Sequence, residues 1–198
     1  MPDPWKPSVT VAAVIERDGR FLLVEEMANG EVRLNQPAGH LDPGESLLDA
    51  AAREALEETA YAFTPMQLIG IYLWRAETTA GAAPVTYLRF AFTGELGERD
   101  PDRPLDHGIL RALWLTKDEI AARRAEHRSP LVQRCIDDYL RGERYPIDLL
   151  YTHESARFTV TPAEPAPAGF GPGAGTQILD PAHWAPASAG ATGRKCTK

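Results

Sequence analysis

Cysteine is scarce in this chain, with two in 198 residues, Cys135 and Cys196. Neither shows metal-ligand spacing, which argues against a zinc cluster, and two thiols cannot staple a disulfide scaffold. Both are expected to be free thiols in a reducing compartment, with the cytoplasm as the default. Long apolar runs are also lacking: none approaches the about 20 residues that a bilayer-spanning helix needs. The opening "MPDPWKPSV" holds three prolines and no apolar core of a secretory signal. Blocks of Lys or Arg are missing too, and the net charge is −7. Nucleic acid and membrane, both presenting negative charge, are therefore not expected as partners. What remains is globular composition, 43% hydrophobic and 25% charged, enough for one full-sized core.

The end of the chain reads differently from the rest. From Thr161 onward there are 9 Ala, 6 Gly and 6 Pro in 38 residues. Such a segment cannot bury enough apolar surface to offset its chain entropy. The expected organisation is a folded domain over residues 1–155 and an Ala/Gly/Pro-rich, disordered tail over 156–198. Within the domain, Ser8–Arg17 and Arg20–Met27 are apolar, β-branched runs around Asp18-Gly19, which predicts a β-hairpin. Asn29-Gly30 marks a second turn, and Pro37 predicts a strand end before Gly39. Ser46 with Asp49 resembles a capping box and opens a helix. Strands are predicted over Met66–Ala76, Val85–Leu96 and Ile109–Thr116. Thr116 with Glu119 starts a short helix, and Ser129-Pro130 starts another that ends at Gly142. The class is α/β or α+β, a mixed sheet with helices on its faces.

Charge on the first helix, Ser46 to Ala60, is placed awkwardly. With 3.6 residues per turn, Leu48, Ala51, Ala52, Ala55, Leu56 and Thr59 share one side. Glu54, Glu57 and Glu58 share the other, where like charges oppose one another. Arg53 precedes Glu57 by one turn, the spacing of an ion pair. Upstream, the Gly- and Pro-rich loop from Gly39 to Glu45 lets backbone carbonyls approach a ligand. Carboxylates and a carbonyl are hard oxygen donors, the set preferred by Mg²⁺ or Mn²⁺. Glu-rich helices are commonly just solvated faces, and "REALEE" alone reads that way. The longer spacing favours the metal: Gly39, Glu45, Arg53, Glu54, Glu57 and Glu58 specify six positions. At roughly 5–7% usage each, chance would match them on the order of once in ten million starts.

That string resembles the box of the Nudix hydrolases, GX5EX7REUXEEXGU, where U is a bulky aliphatic residue. Every charged position agrees. Ala55 replaces an aliphatic, Ala60 the last glycine and Tyr61 the last aliphatic, and none of these would supply a ligand. A left-handed Ala60 would cost about 1 kcal/mol relative to glycine. The flanks "VTVAAVIERDGRFLLVEE", "RSPLV" and "GERYPIDLL" extend the likeness over about residues 7 to 151, toward the phosphatase NudJ branch.

The resemblance implies a Nudix fold, a mixed β-sheet sandwiched between helices. It also implies Mg-dependent hydrolysis of nucleoside tri- and diphosphates and related organic diphosphates, such as hydroxymethylpyrimidine diphosphate, releasing inorganic phosphate. Glu54, Glu57, Glu58 and the Gly39 carbonyl would bind Mg²⁺, for which Mn²⁺ could substitute. Arg53 would orient Glu45 or Glu57, and one of the glutamates, with Glu57 as the choice, or a carboxylate from a later loop would activate water. Arg33, Gln36, His40 and Arg89 are candidates for contact with phosphate or base, each with a surface or strand-pairing role as the alternative. Asp106-His107 lies in a loop where some relatives place an accessory carboxylate, whereas Glu25-Glu26 is expected to cap a strand or face solvent. Trp74, Tyr87, Phe90, Phe92 and Trp114 are expected in the core, with base stacking open to one of them. The expected partner is a small phosphoanhydride, and the expected state a monomer. Two alternatives stay open: another Nudix specificity, for ADP-ribose or dinucleoside polyphosphates, and a non-catalytic nucleotide-sensing module. The stretch "RAETTAG" lacks the proline and the tyrosine that mark the first two substrates.

Overall fold

A computed structural model of the chain describes residues 4–77 and 83–157. The expected tail beyond residue 157, with Cys196, and the centre of the turn after Arg75 lie outside the described residues.

Asp18-Gly19 and Asn29-Gly30 both have positive φ at each residue, the mirror-image turn that suits the twist of paired strands. They join β2 (Glu16–Arg17), β3 (Arg20–Ala28) and β4 (Glu31–Asn35). β3 also pairs antiparallel with the late strand β8 (Ile109–Thr116), which completes a four-stranded sheet. A second, mixed sheet has the order β5 (Ala38–His40), β1 (Ser8–Ala13), β7 (Thr86–Arg99), β6 (Tyr61–Arg75), β9 (Tyr145–Pro146). Only β1 and β7 run parallel within it. The expected mixed sheet is thus present, accompanied by an antiparallel one.

Alternation on β1 explains the layers. Val11 and Ala13 face α1 (Leu47–Thr59), packing with Phe92, Leu68 and the helix residues Ala50, Ala51 and Ala55. Ala12 and Val14 face the other way, onto Leu23, Leu34, Ile120 of α2 (Lys117–Ala122) and Val132, Cys135 and Ile136 of α3 (Leu131–Leu140). Helices therefore cover both faces of the mixed sheet. Ala55, small where an aliphatic residue is usual, is fully buried and lets α1 approach closely.

β6 begins at Tyr61, earlier than its expected start at Met66. Ala60 is left-handed, φ 61° and ψ 13°, and donates its N–H to Leu56, so the helix ends and the chain turns straight into the strand. Pro65 sits where the register with β7 shifts, a place in a strand that tolerates the missing N–H.

Candidate active site

The capping box that opens α1 sets the azimuth of everything downstream. Ser46 Oγ accepts the N–H of Asp49 at 3.1 Å, and Asp49 Oδ2 accepts the N–H of Ser46 at 3.3 Å. One turn later, Arg53 uses all five of its N–H donors. Its Nε and Nη2 hold Glu45 bidentately at 3.0 and 2.8 Å. Nη1 donates to Glu54 at 2.7 Å and to Glu57 at 3.0 Å, and Nη2 also to the His40 carbonyl at 2.9 Å. Hydrogen bonds donated to Glu45, then to Glu54 and Glu57, raise the guanidinium pKa above its ordinary value against the opposing effect of burial. Burial pushes the Glu45 carboxyl up, but the Arg53 and Asp42 hydrogen bonds and the Arg53 charge outweigh it, so its pKa is lowered.

One guanidinium among four carboxylates leaves negative charge in surplus. Glu58 is 7% exposed and accepts the N–H of Ala38 at 2.8 Å. Its pKa is raised well above the carboxylate range, first by burial and then by the charges of Glu54, Glu26 and Asp106, against the Ala38 bond. Glu54 is also raised, chiefly by burial. Gly39 stands on β5 opposite Val11, and a Cβ there would lie 2.1 Å from Glu54 Oε1. Only glycine allows that approach. The Asp106 N–H donates to the Glu57 carbonyl at 2.9 Å, which ties the loop before β8 to the end of α1.

The donor set suits a divalent cation: hard oxygens, two of them buried carboxylates whose charge Arg53 does not fully offset. In the geometry described, Arg53 draws Glu54 and Glu57 toward itself, and no three acidic, His or Cys side chains among the described residues close into a cage.

Beyond β5 opens a cleft of about 220 Å³, lined by Gly39, His40, Thr10, Arg89, Trp74 and Tyr87 on one side and by Glu26, Asn35, Arg128 and Ser129 on the other. Trp74 and Tyr87 stack with ring centroids 5.7 Å apart, and the His40 ring lies 6.3 Å from that of Tyr87. Two wider hollows, about 510 and 520 Å³, contain none of the box residues. The second adjoins the cleft through Trp74, Arg128 and Ser129.

Of the four expected contact residues, His40 and Arg89 line the cleft. Arg33 instead donates to the Ala125 carbonyl at 2.9 Å and pairs with Glu31, and Gln36 is buried with its amide on the Val132 carbonyl at 2.7 Å. Glu25 and Glu26 depart from the expectation that they cap a strand or face solvent. Glu25 is buried between Arg111 at 2.6 Å and Arg123 at 2.7 Å, while Glu26 faces Arg128 at 3.4 Å and Asn35 at 3.3 Å. A shift of register between them, where β3 meets β8, lets both neighbours turn inward. Arg128 and Asn35 escaped the sequence reading, and Ser129 was read only as a helix start, because their partners are distant along the chain. An inward charged residue on β7 had a signal: Arg89 alternates in step with the buried Ala91.

Residues 4–135 match the NUDIX domain family. The chain belongs to the Nudix hydrolases. This Nudix hydrolase is 41% identical over 146 residues to phosphatase NudJ of Escherichia coli K12, covering 74% of this chain and 92% of that one. The same identity and coverage hold for phosphatase NudJ of Shigella boydii serotype 4. The solved NUDIX hydrolase from Nitrosomonas europaea is 55% identical, with a TM-score of 0.71 over 75% of this chain and 99% of that one. A MutT NUDIX hydrolase from Burkholderia pseudomallei, 20% identical with a TM-score of 0.53, covers 68% of this chain and 98% of its own and shares the fold. The chain is thus a hydrolase of small phosphate-containing substrates, in a family that works with divalent metal ions. Among the described residues no helix is long and apolar enough to cross a membrane.

Proposed function

We propose that this Nudix hydrolase is a Mg²⁺-dependent phosphatase of nucleoside tri- and diphosphates and related organic diphosphates, releasing inorganic phosphate. The observation that carries the reading is the pair of buried carboxyl groups of Glu54 and Glu58, with Glu54 held against Gly39 at the mouth of a cleft whose floor is cationic. The NudJ likeness supports the substrate class. Glu54, Glu57, Glu58 and the Gly39 carbonyl would hold Mg²⁺, with Mn²⁺ able to substitute. Bound there, such an ion neutralises phosphate oxygens and makes water more acidic.

The chain's own residues do the rest. Arg53 keeps Glu45, Glu54 and Glu57 in one array, from which Glu54 and Glu57 would turn toward a bound ion. Glu57, with 34% of its side chain exposed against 12% for Glu54, is the more accessible of the two carboxylates and is assigned as the acceptor of the water proton. The stack of Trp74 and Tyr87 offers a flat apolar wall to a base or other ring. The buried thiol of Cys135, pushed up to about 11 by burial, suits a reducing compartment, and the reading is of a cytoplasmic monomer.

Phosphate release from a panel of nucleoside di- and triphosphates, organic diphosphates, ADP-ribose and a dinucleoside polyphosphate, with Mg²⁺ or chelator, tests this. Mg²⁺-dependent release from the uncapped diphosphates is expected. Rapid turnover of ADP-ribose with ADP untouched overturns the specificity, and binding without turnover of any substrate indicates a sensing module.

A further inference from the structure

The cleft floor carries a buried cation two of whose three nitrogens meet no hydrogen-bond acceptor among the described residues. Arg89 is 8% exposed and lies on β7 in a row with His40, Thr10 and Tyr72 of the neighbouring strands. Its Nε and Nη1 have no hydrogen-bond partner among the described residues, and neither has the hydroxyl of Thr10 beside it. Buried donors, charged ones above all, are rarely left so. Burial pushes the Arg89 pKa below the ordinary guanidinium value, with Glu26 and Glu58 opposing that and Arg128 adding to it. A guanidinium stays charged all the same. An anion is the group that these donors suit.

Exposure rises along the cleft. Arg89 and Thr10 are buried, Tyr87 and Trp74 are half-buried, and His40 is exposed. At about 220 Å³, the space falls short of the roughly 300–1,000 Å³ of pockets that enclose a whole small ligand. It therefore takes one end of a longer molecule, and the buried charge selects the compact, charged end.

We propose that this cleft is a subsite for the terminal phosphate: Arg89 at the floor, with the Thr10 hydroxyl and Arg128, holds the end phosphate while the organic part leaves along the Trp74–Tyr87 stack. The assignment deepens the phosphatase reading above and rests on it for the identity of the molecule. An end phosphate seated here leaves the adjoining P–O–P bridge toward Glu54 and Glu58. Water adds across that bridge: its oxygen bonds to one phosphorus, and the bridging oxygen leaves with the other phosphate. The products are inorganic phosphate and the organic monophosphate, with one proton released. A diphosphate capped at both ends has no free phosphate to offer the floor, so uncapped substrates are preferred.

Binding of inorganic phosphate to the full chain, by calorimetry in chelator without metal, tests the subsite apart from catalysis. The parent is expected to bind phosphate saturably, Arg89→Met at least about tenfold more weakly, and Arg128→Gln to an intermediate degree. Absence of phosphate binding in the parent, or parent-like affinity in Arg89→Met, overturns the proposal. Should Arg89→Met fail to fold, Arg128→Gln decides, and unchanged affinity there overturns it. The same preparations assayed with Mg²⁺ keep the two readings distinct. Lack of turnover on every phosphoanhydride defeats the phosphatase reading, whereas the phosphate titration alone judges the subsite.

Discussion

At the scale of single residues, the glutamates of α1 are arranged against their own electrostatics, and that tension can be measured. Glu57→Gln keeps the shape of the side chain but removes its charge and basicity. Turnover is expected to fall by at least about two orders of magnitude, the scale of a lost general base or electrostatic stabiliser. In chelator its melting temperature should match the parent's or slightly exceed it, since a like-charge contact is relieved. Near-parent turnover, with a parent melting temperature that ignores Mg²⁺, would falsify the metal assignment. Gly39→Ala probes the same array from the backbone. The atom its Cβ would strike is the end of the Glu54 side chain, which can swing aside. Stability should therefore hold while Mg²⁺ affinity and turnover both drop; an unchanged metal titration would separate Gly39 from the site. Glu25 supplies a pH dependence away from the metal. Arg111's hydrogen bond, then Arg123's, hold its pKa below the usual value against burial. An acid lowered in the folded state stabilises at pH above its unfolded value of about 4.3, and loses that contribution as pH falls through the folded value. Glu25→Gln should cost about 1–3 kcal/mol near pH 7 and progressively less under acid, by denaturant titration. A cost that is flat from about pH 7 to pH 3, a range that spans the ordinary carboxylate value, would show that the ion pairs contribute nothing. The residues proposed to hold the metal could be picked out because the spacing Gly39–Glu45–Arg53–Glu54–Glu57–Glu58 is local. Glu26 with Arg128, and Arg89 beneath the cleft, depend on contacts across the fold, which spacing along a chain does not encode.

Elements were legible where local chemistry decides them. Asp18-Gly19 and Asn29-Gly30 form the tight turns expected of them, and β8 runs over Ile109–Thr116 as its apolar pattern predicts. Both capping boxes are formed, Ser46 with Asp49 and Thr116 with Glu119. Elements were misjudged where tertiary pairing extends them, as in β6, expected from Met66 but paired with β7 from Tyr61 through Pro65 and its register shift. β5 is three residues long and exists only through its pairing with β1, although it carries Gly39 to Glu54 and His40 to the cleft. The first capping box also has a functional weight that the second lacks. Ser46→Ala should cost about 1 kcal/mol, as should Thr116→Ala. Only Ser46→Ala loosens the start of the helix that holds Arg53 and the glutamates. Equal stability losses with turnover reduced in Ser46→Ala alone are expected from paired melting and activity measurements. Equal turnover in both would mean that the array holds without its cap.

At the scale of the molecule, the last of the described residues to join a core cluster are Ile147 and Leu150, which pack against the cluster beneath α1. The last described tie is the Arg157–Asp49 ion pair, 3.6 Å long, with both side chains 57% exposed. An exposed pair of that kind contributes about 0–1 kcal/mol. The match to phosphatase NudJ covers 92% of that protein but 74% of this one. We propose, then, that the residues beyond Thr161 are dispensable for both folding and hydrolysis, as the Ala-, Gly- and Pro-rich composition also suggests. Two truncations bracket the claim. A chain ending at Thr161 should keep its melting temperature within about 2 °C, less than 1 kcal/mol would shift a domain of this size, and its kcat/KM within about twofold. A chain ending at Gly142 loses β9, Ile147 and Leu150, and should be destabilised by about 2 kcal/mol or more through the apolar surface uncovered beneath α1. If the longer truncation product melts several degrees below the full chain, the terminal segment packs on the domain, and the boundary drawn from composition is wrong.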